Sequence, residues 1–228
     1  MPTVDLAATK LRELNAALHH LDPRSNDTQW RILNPRGQHA IAVGIDAPIA
    51  VEVDGPVGYY CAGMNKQASV VVNGNAGPGV AENMMSGQVH VKGDVSQAAG
   101  ATGCGGRLLV DGNAAARCGI SMKGIDIVVK GSVGHLSAFM AQAGSLVVLG
   151  DAGDALGDSI YEARLYVRGA VKSLGADCVE KRMTDHHRAK LKRLLDEAGV
   201  GGVDVASFRR YGSARKLYHF HIDNVGSY

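Results

Sequence analysis

The amino-acid sequence predicts an all-β solenoid, a right-handed parallel β-helix of about seven 19-residue coils with short helical extensions at both ends. Three observations carry this. Glycine is dense, 30 of 228 residues, while aromatic residues make up only 5% and no collagen triplet is present. Seven of the glycines, Gly55, Gly74, Gly93, Gly112, Gly131, Gly150 and Gly169, stand at strict 19-residue intervals. Around each of them the same residue types recur at the same offsets. Chance does not hold several phases in step over seven periods.

The phases define the coil. Two residues before each glycine stands Val53, Val72, Val91, Val110, Val129, Val148 or Val167. Four before it stands an aliphatic residue: Val51, Val70, Val89, Leu108, Ile127, Leu146 or Leu165. Strand side chains alternate, so these two positions face one way, into the coil. The glycine supplies the unusual φ or the close approach that a corner needs. Asn75, Asp94, Asn113, Ser132 and Asp151 follow directly, as turn chemistry favours. Val or Ala two after the glycine starts a second short strand. Ala or Gly seven after it (Ala62, Ala81, Gly100, Gly119, Ala138, Gly157, Ala176) marks a second tight corner. Nineteen residues leave no room for a crossover helix. Right-handed winding follows from the crossover rule. The period also departs from the 18 residues of three hexapeptides, the unit of left-handed acyltransferase helices.

A solenoid needs its open ends capped. Residues 1–45 provide a cap with a helix, placing Leu11, Leu14, Leu18 and Leu21 on one face, with Thr3 or Asp5 as N-cap and Pro23 as stop. The β-helix proper spans residues 46–178. Residues 179–228 form a tail with a short amphipathic helix through Leu191, Leu194, Leu195 and Ala198, N-capped by Thr184 and ended by Gly199. Residues 180–228 hold ten Lys/Arg against six Asp/Glu, together with Phe208, Tyr211, Tyr218, Phe220 and Tyr228. Tyr and Arg together are the chemistry of protein–protein anchors, so Arg209, Arg210, Tyr211, Arg215, Tyr218 and Phe220 are the candidate partner interface. A net charge of +2 argues against a nucleic-acid partner. No apolar run is long enough to span a membrane. The polar start is no signal peptide, so a cytoplasmic location is expected.

Resident chemistry is not evident. Cys61 and Cys118 share a phase but lie three coils apart, about 14 Å at the ladder spacing, against the roughly 7 Å a disulfide allows. Cys104 and Cys178 occupy other phases, there is no CxxC, and free thiols are expected throughout. His90 and His135 differ in phase and coil. His219 and His221 make the best metal-like pair, without an evident third ligand. Gly77–Gly79 and Gly103–Gly106 lack GxGxxG spacing and any GK[ST]. No catalytic, cofactor-binding or metal residues are therefore assigned. A glycan-acting β-helix is the rival enzyme class, but the positions three before each glycine (Glu52, Val71, His90, Leu109, Val128, Val147, Tyr166) are too apolar for a sugar groove. They suit an outward protein interface better.

The runs from Gly93 to Asp111 and from Gly150 to Arg168, with glycines at offsets 0, 7, 10, 12 and 13 in the first, resemble the glycine-rich β-helix domain at the carboxy terminus of the glutamate synthase large subunit. The likeness covers about residues 37–178 and extends to a subunit of formylmethanofuran dehydrogenase. A free-standing chain of this length with the tail RRYGSARKLYHFHIDN is most similar to the β-helix (GXGXG) subunit family of N-methylglutamate synthase, methylamine–glutamate N-methyltransferase. That resemblance implies a non-catalytic subunit holding two partners, an amidotransferase-like chain and an FMN- and iron–sulfur-containing synthase-like chain. The complex would make N-methylglutamate and ammonia from methylamine and glutamate. FMN and the cluster would belong to the synthase-like partner, with no cofactor in this chain. Met1-Pro2 does not match an amidotransferase's amino-terminal cysteine, and no cysteine triplet matches a cluster.

Overall fold

A computed structural model describes residues 1–21 and 28–215. It is a parallel β-solenoid of about seven coils with two α-helices, as the 19-residue period predicts. The main ladder runs through β3 (Ala50–Asp54), β4 (Ser69–Val72), β5 (Gln88–Val91), β6 (Arg107–Val110), β7 (Lys123–Val129), β8 (Ala143–Val148) and β9 (Arg164–Val167). All are parallel, and the register steps by one period: Val53 pairs Val72, which pairs Val91, then Val110, Val129, Val148 and Val167. Two residues past the glycine, a column of single bridges runs Val57, Ala76, Val95, Ala114, Val133, Ala152, Val171. Both inward columns of the strand are buried, every Val of the second one completely.

The corner after the strand is built by stacking. From Gly93 onward each repeat glycine donates its N–H to the glycine carbonyl one coil earlier, for example Gly112 to Gly93 at 3.1 Å and Gly131 to Gly112 at 2.9 Å. The next side chain continues the spine: the amides of Asp94, Asn113, Ser132, Asp151 and Ala170 donate to Asn75, Asp94, Asn113, Ser132 and Asp151, at 2.7–3.0 Å. A Cβ on Gly112 would collide with Asp94 Oδ1 and come within 2.8 Å of Gly93 O. Of the seven, only Gly55 has positive φ. Close approach of successive coils, and not an unusual dihedral, is therefore what demands glycine there.

The second corner works differently. Within most coils residues five, seven and nine past the glycine all have left-handed backbone, as at Ala98, Gly100 and Thr102, or Leu136, Ala138 and Met140. The middle residue points into the core, where a Cβ on Gly119 would lie 3.3 Å from Ile127 Cδ1. Space for at most one methyl, and for less at Gly100, where a Cβ would lie 2.6 Å from Ile127 Cδ1, explains the Ala/Gly restriction. The coil of Gly169 departs from this. Leu156 bridges Leu174, one residue short of the period, and the left-handed residue is Asp177 in place of Ala176.

The ladder also extends beyond the glycine repeat. β1 (Thr3–Asp5) and β2 (Gln29–Leu33) add two parallel strands ahead of β3, with Ile32 opposite Val53. Ala40, Ala42 and Gly44 repeat the left-handed alternation. Thr3 and Asp5 are thus strand residues and not helix caps. Asp5 Oδ1 accepts instead from Ala7 N and Asn34 Nδ2, both at 2.8 Å, which holds its carboxyl below the usual carboxylate range, the Asn34 bond first. Helix α1 (Leu11–His19) starts after Lys10 without a side-chain cap. Its Leu14 and Leu18 are buried, with Leu11 and Leu21 packed beside them. It closes the open coil with hydrogen bonds: Asn15 bonds Ala40 O and Ala42 N, and His19 Nε2 bonds Val43 O at 2.6 Å. Pro23 lies outside the described residues.

Candidate partner interface

The tail closes the other end. β10 (Cys178–Lys181) leaves the last coil, and α2 (Asp185–Glu197) follows, with Thr184 as N-cap in a capping box with His187. Gly199 ends the helix with φ +65°. After a 3-10 turn (Val205–Ser207), β11 (Arg209–Ser213) inserts antiparallel between β9 and β10. The parallel ladder is thereby terminated by an antiparallel strand of the chain's own tail.

This rearranges the expected interface. Tyr211 is 2% exposed and belongs to the solenoid core, opposite Leu165. Arg209 is exposed, donates to Gly169 O at 3.1 Å and lies 5.9 Å from the Tyr211 ring centroid. Arg210 is half-buried and donates through Nε to Arg182 O at 3.1 Å. Arg215 pairs with Asp177 at 2.6 Å. These four residues meet at the last coil, three of them bonding its backbone or side chains or those of β10's flank. Tyr218 and Phe220, like His219 and His221, lie outside the described residues.

The outward apolar row is not a free surface either. Leu109, Val128, Val147 and Tyr166 are buried beneath Leu191, Leu194 and Leu195 of α2, its C-cap Ala198 and Phe208. Ion pairs on either side hold the helix down: Arg107 to Glu197 at 2.8 Å and Lys190 to Asp126 at 3.4 Å. An amphipathic helix and an apolar sheet stripe in one chain find each other because intramolecular burial carries no association entropy. Polar groups also occupy this face beside the covered stripe and toward the amino terminus. There Glu52, Asp54 and Asn73 join Arg31, and His90 and Lys130 both bond Asp111, at 3.0 and 2.8 Å. Burial pushes the Asp111 carboxyl up, but Lys130 and His90 together hold it below the usual range.

Sequence reading missed the apolar side chains that do remain exposed; besides Met1, Leu174 and Val179 near the two ends of the solenoid, these are Tyr59, Met64, Met85, Met140 and Tyr161. Met64 and Met140 fall nine residues after their glycines, and Met85 and Tyr161 eleven after, so four of the five share one corner with the exposed thiol of Cys104. The signal was present as those two offsets, which alternate with a buried position. The other thiols face the core. Burial pushes Cys61 and Cys118 up to about 12, and Cys178 to about 11. Among the described residues no group of three or more His, Cys, Asp or Glu could hold a metal ion. None of their helices is long and apolar enough to cross a membrane.

Coil stacking, a helix strapped over one sheet face and a tail strand closing the last coil define a self-capped parallel β-solenoid. Sequence comparison then places it. The chain is 65% identical to Protein GlxC of Rhizobium meliloti (strain 1021), over 228 residues that cover all of both chains. It belongs to the GlxC family. No family model matches the sequence.

Proposed function

We propose that this chain is a non-catalytic structural subunit of a glutamate-synthase-like complex, whose β-helix domain its glycine repeat resembles, and specifically of the N-methylglutamate synthase that its length and tail resemble. In this reading it holds an amidotransferase-like chain and an FMN/iron–sulfur synthase-like chain in fixed relation. The observation that carries the reading is the unbroken ladder from β1 to β9, closed at one end by α1 and at the other by β11. Every coil shares backbone hydrogen bonds with its neighbours, so the body transmits position with little give. Such a body suits a spacer between two active sites. The exposed corner of Met64, Met85, Met140 and Tyr161 supports a protein partner, since soluble chains seldom leave such side chains aligned without one.

The test is affinity isolation of the tagged chain from its own cells, followed by mass spectrometry. Stoichiometric recovery of both partner classes, with flavin and iron–sulfur absorbance present in the complex and lost with the synthase-like chain, supports the reading. Recovery of the chain alone, or flavin retained by the isolated chain, contradicts it.

A further inference from the structure

The closed end of the solenoid carries a feature the scaffold role does not use. Strand alternation puts Arg164 and Tyr166 of β9 on the outward face. The antiparallel register sets Arg210 of β11 against Tyr166, and Lys181 of β10 against Arg210. One step further along β11 comes Tyr211, turned inward, and then Gly212, which has no side chain to fill the outward face beside Arg164. What remains is a cleft of about 220 Å³ floored by Gly212 and lined by Arg164, Lys181, Arg210, Arg215 and Tyr161. That is below the roughly 300–1,000 Å³ of drug-sized sites and suits a ligand of few heavy atoms.

Among the described residues its positive charge is only partly compensated. Elsewhere on the same face Arg107, Lys130 and Lys190 each have a carboxylate, Glu197, Asp111 and Asp126. Arg164, Lys181 and Arg210 have none among the described residues, although all three are half-buried. Arg215 is neutralised by Asp177, and Glu162, which also lines the cleft, has an interaction of its own. Burial, and then Arg164, lower the proton affinity of Arg210. Tyr166 itself is fully buried under α2 and does not line the cleft. Gathered, half-buried cations repel one another, and an anion seated among them relieves that repulsion.

We propose that this cleft binds a small oxyanion, the carboxylate or phosphate group of a low-molecular-weight ligand. The guanidinium forks of Arg164 and Arg210 match the paired oxygens of either group, and Lys181 adds a third charge.

Calorimetric titration of the full chain with sodium phosphate and with sodium succinate, each against sodium chloride at equal ionic strength, tests this. Saturable binding of one or both is expected, and the stronger arm identifies the source. Arg164→Gln and Arg210→Gln should each weaken it about tenfold, the order of one charge-assisted hydrogen bond. Gly212→Leu should abolish it by filling the cleft. Its Cβ would meet only ordinary contacts at 3.7–3.9 Å, so that variant keeps the test alive if an arginine variant fails to fold. Lys92→Gln, an exposed cation on another coil, should change nothing. Binding of neither anion above the chloride control, or binding that survives Gly212→Leu, overturns the proposal. The isolated chain is titrated, so the outcome is independent of whether the partner complex exists.

Discussion

Replacing Gly112 and Gly119 by alanine, seven residues apart in one coil, should separate two reasons for glycine. At Gly112 the new Cβ would collide with Asp94 Oδ1 and sit 2.8 Å from Gly93 O. Backbone cannot swing away without parting two coils. Overpacking of this kind costs about 1–3 kcal/mol, and displacing the Asn113 N–H from Asp94 adds about 1 kcal/mol. A loss of about 2–4 kcal/mol is expected. At Gly119 φ is +68°, which penalises a Cβ by about 1–2 kcal/mol, partly offset by the lower entropy of the unfolded chain. Alanine already occupies the equivalent left-handed place at Ala62, Ala81 and Ala138, so about 1 kcal/mol is expected. Urea unfolding followed by far-ultraviolet circular dichroism gives both numbers. A double-mutant cycle with Asp94→Ala adds a check, since removing the carboxylate should recover part of the Gly112→Ala loss and none of the Gly119→Ala loss. Equal losses in the two single variants, or no coupling to Asp94, would refute the stacking explanation.

Leu194→Ala should destabilise the chain by about 2–4 kcal/mol, because Leu194 is 1% exposed over the sheet stripe. Leu109→Asp should likewise be nearly as damaging as Val110→Asp, which a helix-free outward face would not show; parallel melts of the three variants decide it. Of the four cysteines, native protein should react rapidly with a thiol reagent at Cys104 alone, and Cys104→Ser should remove that reaction. Asp111 has a depressed folded-state pKa, so the stability it contributes is present above the unfolded value of about 3.9 and is lost as pH falls through the lower folded value. The stability difference between wild type and Asp111→Asn should therefore be constant near neutral pH and vanish in acid. A difference that persists there would mean that packing, and not the charge held by Lys130 and His90, explains the residue.

How much of this was legible without coordinates depended on repetition. The Val and aliphatic columns were readable because seven copies of a strand share one environment, and the structure keeps them in register. The reason for the glycines was half readable. Sequence marks the position, but only the coil spacing distinguishes a forbidden Cβ at Gly112 from a tolerated one at Gly119. The strands β1 and β2 escaped notice because they lack the Val-x-Gly signature. Their only repeat-like mark is the small-residue alternation Ala40, Ala42, Gly44. The fate of the tail was illegible for a different reason. The stripe Leu109, Val128, Val147, Tyr166 and the helix face Leu191, Leu194, Leu195 were each recognisably apolar, yet nothing local says that one covers the other. The cleft over Gly212 arises from an antiparallel insertion that no periodicity announces.

The claim that this chain is a structural subunit is tested most directly by reconstitution. The amidotransferase-like and synthase-like chains would be purified with and without it, and N-methylglutamate formation from methylamine and glutamate measured alongside native mass spectrometry. The account expects a complex containing all three chains, and activity that falls to background when this chain is withheld, while the synthase-like chain keeps its flavin and cluster. Full activity from the other two chains alone, or three chains that never associate, would contradict it.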